Sequence, residues 1–123
     1  MREKENAARL GRWGEAQAAA YLQRKGLVCI AANWRCRFGE IDLIARDDKY
    51  LCFIEVKLRK NEAFGPARAF VDHRKQERLR QTAALYLAEY PTALQPRFDV
   101  AEVYAPAGTA TEKPVILYWE NAF

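Results

Sequence analysis

Asp42, Glu55 and Lys57 stand in two apolar runs, Glu40-Ile41-Asp42-Leu43-Ile44-Ala45 and Tyr50-Leu51-Cys52-Phe53-Ile54-Glu55-Val56-Lys57-Leu58. The polar cluster Asp47-Asp48-Lys49 separates the runs, and both alternate as strands do, so the pair reads as a β-hairpin. Strand side chains alternate between faces. Glu40, Asp42 and Ile44 therefore share one face of the first strand, with Ile41 and Leu43 on the other. Phe53, Glu55 and Lys57 share one face of the second, opposite the apolar set Cys52, Ile54, Val56 and Leu58. A two-residue loop at 48–49 and a four-residue loop at 47–50 give the same register. Either sets Asp42 opposite Glu55 and Glu40 opposite Lys57, and a slip of one residue would put Asp42 against the apolar face. Two carboxylates so placed repel by roughly 3 kcal/mol at ~5 Å and an effective dielectric of about 20. A divalent cation would offset that repulsion. Mg²⁺ (or Mn²⁺) suits a site of one or two carboxylates completed by water and phosphate oxygens. Such an ion activates water and polarises a phosphoryl oxygen, and Lys57 would orient or deprotonate the water or stabilise developing charge. The alternative for the same spacing is a solvent-facing strand on which Glu40 pairs with Lys57. The apolar surroundings of both carboxylates argue for central strands, where an unpaired charge is costly.

Glu15 joins this set as a further acid. Helical spacing puts it with Ala18, Ala19 and Leu22 on the apolar side of the first helix, where it would face the sheet and help hold a metal. A salt bridge to Arg12 or another basic neighbour is the competing role. Residues 57–80 carry eight cationic side chains against three acidic ones, a local net charge of +5 in a chain whose total is +4. Arg59, Lys60, Arg74, Lys75 and Arg78 form the expected nucleic-acid-binding set, because a concentrated basic field beside such a site suits a polyanion. The alternative is a solvated basic helix that contacts another protein. His73, the one histidine, falls at a helix start and supports no Ser/His/Asp or Cys/His arrangement. Asp99 reads as a buried, hydrogen-bonded acid without a catalytic role. Gly11-Arg12-Trp13-Gly14 matches the G-x-x-G of KH domains only superficially, since its context is helical.

The elements that must position these residues follow from periodicity and punctuation. A helix is predicted from Asn6 to Lys25, closed by Gly26, with a stripe of Leu10, Trp13, Ala16, Ala20 and Tyr21 widened by Ala18, Ala19 and Leu22. A strand covers 27–35, and the hairpin follows. Residues 59–71, with Gly65-Pro66, read as a loop. Asp72 caps a helix to about Glu89, stopped by Pro91, with Leu79, Thr82, Ala83, Tyr86 and Tyr90 as its buried stripe. Strands at 97–104 and 115–119 complete the order. The expected fold is α/β, one domain over residues 1–123, with a mixed sheet flanked by helices.

The chain has 123 residues, 50% hydrophobic and 29% charged, which suits one packed domain and excludes a disordered polyelectrolyte. Cys29, Cys36 and Cys52 are odd in number and lack C-x-x-C spacing, so neither a disulfide framework nor a zinc cluster is expected. No apolar signal core follows the charged N-terminus, and no stretch approaches a membrane span, so the expected location is cytoplasmic and no membrane partner is expected.

Gly39-Glu40-Ile41-Asp42-Leu43-Ile44 followed by Phe53-Ile54-Glu55-Val56-Lys57-Leu58-Arg59 resembles the bacterial YraN-like family UPF0102. That family is assigned to the PD-(D/E)XK nuclease superfamily and is similar to archaeal Holliday junction resolvases. The likeness extends to Gly11-Arg12-Trp13-Gly14-Glu15-Ala16, Phe64-Gly65, His73-Arg74-Lys75-Gln76, Arg97-Phe98-Asp99-Val100 and Glu120-Asn121-Ala122-Phe123. It implies an αβββαβ restriction-endonuclease-like core, Asp42 and Glu55 as metal ligands, Lys57 as the catalytic lysine and Glu15 as the helix acid. Ile41 stands where the superfamily's namesake proline would precede Asp42. The implied activity is an Mg²⁺-dependent endonuclease acting on branched or structured DNA. A non-catalytic nucleic-acid-binding module of the same fold is the alternative. Cutting two strands would require a homodimer, although no dimer signature is legible.

Overall fold

The computed structural model describes residues 2–61 and 71–123, with side chains from residue 5 onward. The order is α1 (Arg2–Arg24), β1 (Val28–Cys36), β2 (Gly39–Arg46), β3 (Tyr50–Arg59), α2 (His73–Glu89), β4 (Gln95–Tyr104) and β5 (Val115–Trp119). This is the order of helix, three strands, helix and two strands expected from the sequence, and it contains the αβββαβ core that the resemblance implied. Most of the 59–71 loop, including Phe64-Gly65 and Arg68, lies outside the described residues.

Local chemistry sets the element ends. Gly26 at φ 89 terminates α1. The Gly26 amide donates to the Gln23 carbonyl and the Leu27 amide to the Leu22 carbonyl, each at 3.0 Å, which is a Schellman closure of otherwise orphaned carbonyls. The Asp72 carboxylate accepts the Lys75 amide at 2.8 Å and caps α2. At the hairpin, Asp47 Oδ1 accepts the amides of Lys49 at 2.8 Å and Tyr50 at 2.7 Å. This Asx-type turn closes the four residues 47–50 between the paired Arg46 and Leu51 and fixes the register of β2 on β3.

The five strands lie in the order β1-β2-β3-β4-β5. Among the described residues, only β3 and β4 are parallel, joined by the crossover that contains α2. The pairs Arg46↔Leu51, Ala45↔Cys52, Ile44↔Phe53 and Leu43↔Ile54 are in the register that the alternation required. The helices cover opposite faces. Ala18 and Leu22 of α1 pack on Leu43, Ala45, Cys52, Ile54, Ala101 and Val103. Leu79, Ala83 and Tyr86 of α2 pack on Ile41, Ile44, Leu51, Phe53 and Val100. Each large side chain so buried contributes about 1.5–3 kcal/mol.

Two stripes differ from expectation. The buried line of α1 is Gly14, Ala18 and Leu22, while Ala16 is exposed. Tyr90 is 50% exposed, because α2 ends at Glu89 and the chain turns away there.

One irregularity matters for the site. The β2–β3 ladder stops at Leu43↔Ile54, whereas β3 stays paired to β4 through Arg59↔Tyr104 and β2 stays paired to β1 through Cys36↔Gly39. The sheet therefore splits between β2 and β3 beyond Leu43. Ile41 and Ile44 both join the core beneath α2, so strict alternation fails between them. Asn33, on β1 beside this stretch, has φ 52, a conformation that asparagine tolerates better than most residues.

Candidate functional site

Asp42 sits at the fork of the sheet. Its Oδ2 accepts the Val56 backbone amide at 2.8 Å, taking the place of a ladder carbonyl where β2 has left β3. Glu55, next on β3 after the last residue paired to β2, is 8% exposed. One of its oxygens, Oε1, lies 2.5 Å from Lys75 Nζ and 3.5 Å from Lys57 Nζ. Glu15 comes from α1 on the other side and accepts the Asn33 side-chain amide at 2.9 Å. Glu40 is held at 3.0 Å by Arg35 on β1. Glu15, Glu40 and Asp42 each present a carboxylate oxygen within 4.8 Å of the others. Gly39, Glu40, Asp42, Glu55, Lys75 and Arg78 line an open cleft of about 290 Å³ over this cluster.

The charges perturb one another. Asp42 is pushed up from 3.8 to about 7, first by burial and then by the Glu55 charge, with Glu15 and Glu40 adding to it and the Val56 amide opposing. Lys57 is lowered, first by burial and then by the neighbouring Lys75, against the pull of Glu55. Burial also works against the Lys75 charge, but its hydrogen bond to Glu55 and the attraction of that carboxylate outweigh it and raise its pKa. Two lysines at Glu55 and an amide at Asp42 offset the repulsion between the two acids only in part, since the Glu55 charge still raises Asp42.

The predicted residues are distributed unevenly. Asp42, Glu55, Lys57 and Glu15 converge on the fork. Glu40 does not meet Lys57, because β2 has diverged from β3. It pairs with Arg35 instead. Arg59, expected on the nucleic-acid surface, contacts the fully buried Glu102 at 3.1 Å. Lys75, expected on the same surface, is half-buried and bonds Glu55. Arg74, Arg78 and Lys60 remain on the exposed surface. Asp99 is fully buried and accepts from Arg97, the Tyr118 hydroxyl and the Asn121 amide, as a structural acid should. Sequence reasoning missed Lys75 as the partner of Glu55, Glu40 as a member of the acidic triplet, and Asn33 as the support of Glu15. The Lys75–Glu55 and Asn33–Glu15 relations cross between elements, where no spacing signals them, whereas Glu40 shares a strand face with Asp42 and only Glu15 reaches them from another element. Glu102 was also missed. Its partners include the Tyr104 hydroxyl at 2.7 Å and the Trp119 indole at 2.5 Å.

A sheet covered by one helix on each face and forked to expose acids beside lysines defines a small α/β protein with the αβββαβ core. Residues 14–103 match the uncharacterised protein family UPF0102, and the chain belongs to that family. A UPF0102 protein of Nocardia farcinica is 43% identical over 115 residues, covering 93% of this chain and 88% of the relative. One from Pseudomonas aeruginosa is 40% identical over 126 residues, covering 100% and 98%. A Frankia alni relative is 47% identical over 98 residues, covering 79% and 82%. Among the described residues, no helix is long and apolar enough to cross a membrane.

Proposed function

We propose that this protein is a metal-dependent nuclease that hydrolyses phosphodiester bonds in nucleic acid, with branched or structured DNA as the favoured substrate. The convergence of Asp42, Glu55, Lys57 and Glu15 at the fork of the sheet, with Asp42 and Glu55 lining a cleft edged by Arg78, carries this reading. The donor set fits Mg²⁺ or Mn²⁺, since it is made of carboxylate oxygens with room for water. Asp42 and Glu55 would hold the ion, and Glu15 and Glu40 each bring a carboxylate oxygen within 4.8 Å of that of Asp42. When bound, the metal supplies Lewis-acid activation of a phosphoryl oxygen and of water. Lys57, its pKa lowered by burial and by Lys75, gives up or shares a proton more readily than an ordinary lysine and so suits a water-orienting role. Lys75 and Arg78 supply positive charge where a phosphate would enter. The preference for branched DNA follows from the resemblance to resolvases alone.

The second reading is binding without cleavage. The Glu55–Lys75 and Glu55–Lys57 contacts favour it, because they neutralise the acid with no metal. Asp42→Asn and Glu55→Gln separate the two. On the nuclease reading the parent gains about 2.7 kcal/mol of stability from Mn²⁺ at a hundredfold its Kd, and both variants lose that gain. Cleavage of a four-way DNA junction disappears in both while binding to it persists. Lys57→Ala keeps the metal-induced shift and loses turnover by about 10²–10⁴-fold. A parent whose melting is indifferent to Mn²⁺ and Mg²⁺, and which binds the junction without cutting it, would establish the binding module.

A further inference from the structure

Lys57 and Lys75 both direct their ammonium groups at the same oxygen of Glu55, at 3.5 and 2.5 Å. Two cations on one anionic oxygen leave this end of the cleft with surplus positive charge. The Glu55 side chain is only 9% exposed although it lines the cleft, because the two ammonium groups cover its Oε1. Lys57 is fixed to the strand that carries Glu55. Lys75 reaches across from the first turn of α2, which Asp72 holds in place through the Lys75 amide. Its side chain is 30% exposed and lines the cleft, and Arg78 lies one turn along the same helix face. A lysine has four rotatable bonds. With its backbone anchored, Lys75 can swing its ammonium from Glu55 into the cleft at the cost of that one ion pair.

An ammonium and a divalent cation compete for the same carboxylate lone pairs. We propose that Lys75 is a positioning latch. In the metal-free protein it occupies Glu55, and when nucleic acid enters the cleft it transfers to a backbone phosphate, which leaves Glu55 to the metal. The proposal rests on the metal-dependent reading of the site. Its consequence is reciprocal coupling: nucleic acid tightens metal binding, and metal tightens nucleic-acid binding by the same factor. A purely structural ion pair would give no such coupling.

The test is calorimetric titration of Mn²⁺ into the full chain, with and without a saturating four-way DNA junction made nuclease-resistant by phosphorothioate linkages. In the parent the junction tightens Mn²⁺ by roughly 5- to 100-fold, the range of ordinary allosteric couplings. Lys75→Met binds Mn²⁺ more tightly than the parent without DNA, and the junction then changes its affinity less than about twofold, as expected when the coupling element is gone. Lys75→Gln keeps a hydrogen-bond donor at Glu55 and carries the comparison if the methionine variant does not fold. Arg78→Gln removes the same charge from the same cleft and retains the coupling. If the Lys75 variants bind Mn²⁺ no better than the parent, or keep the parent's coupling, the latch is overturned and the nuclease reading stands. If Mn²⁺ binds neither parent nor variants with or without DNA, both fall.

Discussion

Asp42 holds its proton in the folded chain over a range where the unfolded chain has released it. The folded-state value is about 7 against an ordinary 3.8. Unfolding therefore releases a proton between those values, and stability falls as pH rises through that window. The favourable contribution is complete below pH 3.8 and is lost as pH passes 7. Its size is on the order of 4 kcal/mol, at 1.36 kcal/mol per pKa unit. Asparagine cannot titrate, and its carbonyl still accepts the Val56 amide. In metal-free urea denaturation, Asp42→Asn should match the parent near pH 4 and exceed it by about 2–4 kcal/mol at pH 8. Mn²⁺ added at pH 8 should restore the parent and leave the variant unchanged. A parent whose stability is flat across this range would mean that Asp42 is ionised and well paired throughout. Glu102 is a different kind of buried acid. Its contacts with Arg59, Tyr104 and Trp119 hold it beneath β5, so it belongs to the packing of the sheet edge rather than to the cleft.

Among the elements, α1 and the β2–β3 fork decide whether Glu15 reaches Asp42. The helix comes unusually close to β3 at Gly14, where an added Cβ would lie 2.7 Å from Leu58 Cδ1 and 2.9 Å from its Cγ. Any side chain there forces Leu58 aside or lifts the helix, and lifting it withdraws Glu15 from Asn33. Gly14→Val should cost about 1–3 kcal/mol, the usual penalty of overpacking, in a thermal or urea melt. It should also weaken Mn²⁺ binding several-fold. A Gly14→Val protein as stable as the parent would show that Leu58 yields freely and that helix approach does not limit the site. The fork needs both its supports. The Asp47 turn sets the β2–β3 register, while parallel pairing to β4 holds β3 straight as β2 departs with β1.

For the whole molecule, the decisive quantity is how much of the basic segment remains available to a polyanion. Arg74, Arg78 and Lys60 are exposed, Lys75 is committed to Glu55, and Arg59 to Glu102. Arg74→Glu with Arg78→Glu should weaken DNA binding and lower the slope of log Kobs against log salt by about 2, roughly one for each phosphate no longer neutralised. Arg59→Gln should leave that slope unchanged and destabilise the fold by about 3–5 kcal/mol, because it removes a cation from the fully buried Glu102 carboxylate. Filter binding over a salt series, with urea melts of both variants, distinguishes the two. A salt slope that falls with Arg59→Gln and not with the α2 pair would move the nucleic-acid surface to the other side of β3.

Local patterns determined a good deal here. The alternation of the two runs around Asp47-Asp48-Lys49 selected the hairpin register, because only one parity keeps the apolar faces together. Gly26 and Asp72 marked helix ends, because their roles are settled within a few bonds. Asp42, Glu55, Lys57 and Glu15 were legible as candidates, because acids embedded in apolar runs demand a reason. What tertiary structure alone decided were the relations between elements. Alternation cannot show that the sheet forks after Leu43, since the fork depends on β2 staying with β1 while β3 stays with β4. It therefore cannot show that Glu40 leaves Lys57 for Arg35. Helical spacing marks Lys75 and Arg59 only as cations near a site. Their partners, Glu55 and Glu102, lie on other strands, and charge pairing across a core is set by distances that exist only once the sheet and both helices have packed.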